Sequence, residues 1–193
     1  MRILGISGSL RADSHNTRLL RAAARLLPED AELELLDPDV LRAIPPYDED
    51  VRVADGEPPA ATELRRAIER SDAVLFATPE YNHSVPGVMK NALDWVSRPL
   101  AESPLMGKDV AVTGTSTGMF GAVWAQAELR KVAAALGGRV LDRELPVAGA
   151  DDAWAADGSL ISGELSDELA DQLAALAAAA RESAGLRTLA RAA

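Results

Sequence analysis

Cysteine is absent from this 193-residue chain, and histidine occurs only twice, as His15 and His83. The first absence excludes disulfides, thiolate metal sites and thiol redox chemistry together. The second leaves too few imidazoles for a histidine-built zinc centre. No metal site is therefore expected, and any redox chemistry must rest on a bound cofactor. No apolar run approaches membrane length, and Met1-Arg2 leads into Ile3-Leu4-Gly5-Ile6 without a signal-peptide h-region. A cytoplasmic protein with no membrane partner is the expectation. Cations are outnumbered too: a net charge of −10 argues against a general nucleic-acid or anionic-membrane surface. A local cluster of cations is the more informative for it.

What remains is ordinary for a globular protein, with 48% hydrophobic and 26% charged residues, and the length fits one domain over 1–193. Strand and helix signals alternate from end to end. Strands are expected at 2–7, 32–36, 73–78, 110–113 and 139–141, the last extending toward Pro146-Val147. Glu32-Leu33-Glu34-Leu35 alternates polar and apolar, as an exposed edge strand does, whereas Ala73-Val74-Leu75-Phe76-Ala77 reads as buried. Helices are expected near 15–27, 60–71, 86–97, 121–136 and 164–183. Leu19, Leu20, Ala23, Leu26 and Leu27 share one face of the first, and Gly137-Gly138 stops the fourth. Residues 37–59, rich in Pro, Asp and Glu, read as a long irregular connection. Five strands separated by helices favour a doubly wound α/β fold, a parallel sheet with helices on both faces. The order 2-1-3-4-5 follows if the second strand is the polar edge.

Ligands of such sheets bind beyond the carboxyl ends of the strands, and three loops there carry chemistry. The first is Gly8-Ser9-Leu10-Arg11-Ala12-Asp13-Ser14-His15-Asn16-Thr17. Ser9 and Ser14 bring hydroxyls, Asn16 an amide, Arg11 a charge, and the helix start free N–H groups. The loop has no Lys for a Walker A motif and no second glycine for close approach to a pyrophosphate. A phosphate monoester suits it. The plainer reading makes Ser14 a helix cap and Arg11 a solvated side chain. His15 is expected to face solvent.

The second loop, Thr78-Pro79-Glu80-Tyr81-Asn82-His83-Ser84-Val85-Pro86-Gly87, leads into Val88-Met89-Lys90-Asn91-Ala92-Leu93-Asp94-Trp95. Its prolines stiffen it, and it offers backbone groups, the amide of Asn82 and the plane of Tyr81 to a flat heterocycle. The third, Thr113-Gly114-Thr115-Ser116-Thr117-Gly118-Met119-Phe120-Gly121, has three glycines that let a ligand approach the backbone.

These stretches resemble the GSLR-x-x-S-x-N, PEYN-x-S-x-PG-x-x-KNA-x-DW and glycine-rich G-x-S-x-G signatures of the NADPH-dependent FMN reductase family. The resemblance covers roughly residues 3–140 and implies a flavodoxin-like fold. It implies that Ser9, Arg11, Ser14, Asn16 and Thr17 hold the FMN phosphate. Pro79, Glu80, Tyr81 and Asn82 would line the ring and ribityl chain, with Ser116 and Gly118 in the third loop. Glu80 has an alternative as a structural carboxylate facing a neighbouring subunit. Ala122 and Trp124 depart from the family pattern, Trp124 standing where relatives carry Arg before Ala125-Gln126. The implied activity is an FMN-dependent NAD(P)H oxidoreductase that works by ping-pong. NADPH or NADH is the co-substrate, and a quinone, free flavin, azo dye or metal oxyanion such as chromate is the acceptor. The chemistry resides in FMN, so no catalytic side chain is required. The rival is a flavin-binding electron carrier or sensor without a nicotinamide site. The family habit also implies a homodimer or homotetramer, with the helix carrying Asn91, Asp94 and Trp95 near the contact.

Overall fold

The apolar segment at 73–78 does become the middle of the structure. The computed structural model describes residues 1–192. Its strands are β1 (Arg2–Ser7), β2 (Glu32–Leu35), β3 (Ala73–Thr78), β4 (Asp109–Thr115), β5 (Arg139–Val140) and β6 (Pro146–Val147). Its helices are α1 (His15–Leu26), α2 (Pro38–Ala43), α3 (Glu49–Asp55), α4 (Pro59–Arg70), α5 (Gly87–Val96), α6 (Val123–Ala135) and α7 (Gly163–Ala192). The strands pair in parallel in the order β2-β1-β3-β4-β5, with β6 also pairing along β4. Every residue of β3 and β4 is buried, while β2 is exposed at the edge.

The period-2 alternation of the inner strands divides the core between two faces. Leu4, Ile6, Val74, Phe76, Val110 and Val112 point to one face and pack with Leu64 and Ile68 of α4, Leu93 of α5 and Leu129 of α6. Ile3, Ala73, Leu75, Ala77 and Ala111 point to the other, under Leu19 and Leu20 of α1 and Leu169, Leu173 and Leu176 of α7. This is the flavodoxin-like arrangement expected, with helices on both faces of a parallel sheet.

Two local expectations need correction. Residues 37–59 are not irregular throughout, since they hold α2 and α3. Asp37 accepts a hydrogen bond from Asp39 N at 2.9 Å and is followed by Pro38 at the first helical position. Asp48 accepts from Asp50 N at 2.9 Å. Acidic caps and a leading proline start helices too short to show a periodic apolar stripe. The fifth strand is split, because Asp142, Arg143 and Glu144 turn outward between β5 and β6 and Arg130 of α6 binds Asp142 and Glu144. Trp95 is fully buried, donates from Nε1 to Pro45 O at 2.8 Å and meets Tyr47 edge-on. Its bulk packs in the core beneath α5.

Candidate functional site

The loops after β1, β3 and β4 converge because their strands are neighbours. Gly8 N donates to Ala77 O at 2.9 Å, and a Cβ on Gly8 would sit 3.1 Å from Pro79 Cδ. A Cβ on Gly114 would lie 2.5 Å from Thr78 O, so only glycine lets β4 run this close to the end of β3. Between the loops lies a cavity of about 140 Å³ lined by Ser9, Arg11, Asn16, Pro79, Glu80, Tyr81 and Ser116, with His15, Thr115 and Thr117. Seven of the residues expected in the site meet here. A closed small-molecule pocket has roughly 300 Å³ or more, so a larger ligand would extend over the open rim.

Each expected phosphate residue has a definite setting. Ser14 caps α1: its Oγ accepts from Thr17 N at 3.2 Å, which leaves its own O–H free to donate. Asn16 is buried and clamps the third loop. Its Nδ2 donates to Thr115 O and its Oδ1 accepts from Thr115 N, both at 3.1 Å. Thr17 turns inward and donates from Oγ1 to Ser7 Oγ at 3.1 Å, so Thr17 does not line the cavity. Arg11 is exposed and makes no ion pair among the described residues. The first amides of α1, on His15 and Asn16, have no carbonyl behind them, and the first turn carries no acidic residue. Helix dipole and guanidinium thus act on one small volume with no protein carboxylate answering them from α1.

The second loop folds on itself. Tyr81 N donates to Ser84 O at 3.1 Å and Ser84 N to Tyr81 O at 3.2 Å. Asn82 and His83 between them take φ values of 53° and 61°, the left-handed pair of a type I′ turn. Asn82 therefore sits at the tip of a turn and not on the cavity wall, and Gly118 also lies outside it. Glu80 does two things. It lines the cavity, and its Oε2 accepts from Trp124 N at 3.0 Å and Ala125 N at 3.2 Å. Ala122 precedes α6 in a left-handed conformation with no side-chain cap of its own, so Glu80 caps α6 from another loop. The carboxylate thus has a structural partner within the same chain as well as a place on the cavity wall.

Beside this cap lies an exposed apolar rim. Met119 is 79% exposed and Phe120 55%, and Trp124 meets both Phe120 and His83 edge-on, with ring centroids 4.9 Å apart in each case. Gln126, which carried no expected role, anchors the loop from below. It donates to Gly121 O and Leu145 O and accepts from Leu145 N at 3.1 Å. A polar residue within an otherwise apolar helical face was the available signal. His15 was misplaced as solvent-facing; its side chain is 16% exposed and forms part of the cavity wall. Among the described residues no group of three or more His, Cys, Asp or Glu could hold a metal ion, and no helix is long and apolar enough to cross a membrane.

The sheet order and a cavity with polar lining at the ends of β1, β3 and β4 define a flavodoxin-like α/β protein. The family can be stated more narrowly. The chain belongs to the NADPH-dependent FMN reductase family, whose model matches residues 1–152. It is 45% identical over 162 residues to an NAD(P)H-dependent FMN reductase of Pseudomonas aeruginosa, covering 83% of this chain and 85% of that one. It is 42% identical over 137 residues to a 2-hydroxy-1,4-benzoquinone reductase of a Burkholderia species, covering 70% and 72%. Among solved structures it resembles the flavoenzyme NAD(P)H:(acceptor) oxidoreductase FerB of Paracoccus denitrificans, with a TM-score of 0.80 and 34% identity over 94% of this chain and 98% of that one. Membership makes the chain an NAD(P)H-dependent oxidoreductase with FMN as its cofactor.

Proposed function

We propose that the cavity seats the phosphate of FMN and that the flavin ring extends from it along Pro79, Glu80 and Tyr81. The observation that carries this reading is the donor set. Arg11, Ser9 and the first residues of α1, His15 and Asn16, line one small space, and Ser14, outside the cavity wall, caps the helix that starts there. That set suits a single dianionic phosphate, and it lacks the glycine pair that a pyrophosphate would need. Arg11 supplies the charge-assisted contact. Asn16 fixes the third loop through Thr115 and keeps one amide hydrogen for the ligand. Tyr81 and Pro79 form the wall, and Glu80 holds that wall to α6. Asn82 and Gly118 act from the rim and Thr17 from behind the turn, by fixing Ser7.

When bound, FMN supplies the redox chemistry, taking a hydride from NAD(P)H and passing electrons to an acceptor. The protein's part is to bind, orient and leave one face accessible. Tyr81, Phe120 and Trp124 at the rim offer aromatic surface to flat partners, which favours quinones among the acceptors. The quinone reductase named among the relatives points the same way.

The test is direct. Purified protein should be yellow with about one FMN per chain, and NADPH should bleach it rapidly. FAD in its place, or no flavin after reconstitution, would overturn the reading. A yellow protein that NADPH fails to bleach would be an electron carrier instead.

A further inference from the structure

Residues 150–160 follow β6 and return against α1. They are joined to the third loop, since Ala150 N donates to Ser116 O at 3.0 Å and Gly149 N to Gly118 O at 3.2 Å. They are joined to α1 as well, where Arg25 Nη1 donates to Asp157 O at 2.7 Å. At the centre of the segment, Trp154 Nε1 donates to His15 Nδ1 at 3.1 Å. An indole nitrogen can only donate, so Nδ1 must be unprotonated. The neutral ring then carries its proton on Nε2, which lies 3.2 Å from Asp151 Oδ1. The two rings are within 9° of parallel, and the Arg18 guanidinium lies 5.6 Å from the centre of the Trp154 ring. The ring is therefore hydrogen-bonded at Nδ1 by Trp154 and faced at Nε2 by Asp151, while it also walls the cavity.

We propose that Asp151, Trp154 and His15 form a tether that positions the first turn of α1 for its anionic ligand. His15 is a positioning residue in this scheme, and the inference rests on the reading that the cavity takes the FMN phosphate. His15 opens α1, and its backbone amide is one of the unpaired donors. A side chain hydrogen-bonded at Nδ1 by a second segment limits the freedom of that turn before the ligand arrives. A turn already ordered loses less conformational entropy on binding. In that tautomer the single ring N–H points toward Asp151, so Arg11 remains the side chain that meets the phosphate's charge.

Trp154→Phe keeps the ring and removes the donor. Asp151→Asn removes the charge from a side chain that is 72% exposed, so the fold should tolerate it. Two measurements decide the matter: the His15 tautomer by nitrogen-15 NMR in flavin-free protein, and FMN dissociation constants by fluorescence titration. The wild type should show the Nε2–H tautomer. Trp154→Phe should lose that bias and bind FMN about three- to tenfold more weakly, the scale of one neutral hydrogen bond. Asp151→Asn should shift both readouts in the same direction by less. An Nδ1–H tautomer in the wild type would overturn the tether, as would unchanged FMN affinity in both variants. A wild type that binds no FMN overturns the phosphate reading, and the tether's role with it.

Discussion

Arg11 shows how a single residue can decide occupancy of this site. It lines the cavity and has no carboxylate paired with it among the described residues, on a chain of net charge −10. An unpaired guanidinium beside a helix N-terminus has its strongest available partner in an anionic ligand. Arg11→Ala should weaken FMN binding by about 1.5–3 kcal/mol, the scale of a charged hydrogen bond. That corresponds to roughly a 10- to 150-fold rise in dissociation constant. Thermal stability without flavin should stay near wild type, because the side chain supports no neighbour. Titration of the variant with FMN checks the affinity, and a melting curve of the flavin-free protein checks the stability. Equal affinity would mean that the phosphate lies elsewhere. Thr17 marks the opposite case: a hydroxyl in the same motif that turns inward to Ser7 and acts on the ligand only through the frame.

At the scale of elements, Glu80 joins the loop after β3 to the start of α6. Its removal is a test of construction more than of binding. Glu80→Ala leaves the amides of Trp124 and Ala125 without their acceptor, and Ala122 provides no substitute cap. The loss of a cap costs about 1 kcal/mol, which lowers the melting temperature of a chain this size by about 2–4 °C. Glu80→Gln keeps one acceptor oxygen and should recover part of that loss. Calorimetry on flavin-free protein separates this effect from ligand contacts. An unchanged melting temperature in Glu80→Ala would dismiss the capping role. Such cross-loop roles mark the limit of what the sequence made legible. The sheet order could be read from polar β2 and apolar β3, because burial leaves its mark on composition. The three loops could be read from their positions after strands. The helices at 38–43 and 49–55 were too short for periodicity to register. His15, Glu80 and Gln126 could not be placed, because their partners lie 139, 44 and 19 residues away. Spacing within one loop carries no record of a side chain that reaches into another.

For the whole molecule, the decisive feature is that loops after three neighbouring strands share one cavity. Tyr81 on its wall and Phe120 and Trp124 on the third loop and α6 are all substantially exposed. If the flavin ring leaves one face open there, as proposed, a reductant and an acceptor that both need that face would take turns on it. Steady-state kinetics with NADPH and a benzoquinone should therefore be ping-pong, with parallel double-reciprocal lines, and each substrate should inhibit competitively against the other at high concentration. Trp124→Ala should raise KM for the quinone several-fold with less change in kcat, because an aromatic stack is worth about 0.5–1.5 kcal/mol of binding. Intersecting lines would require donor and acceptor to be bound together and would overturn the shared-face reading.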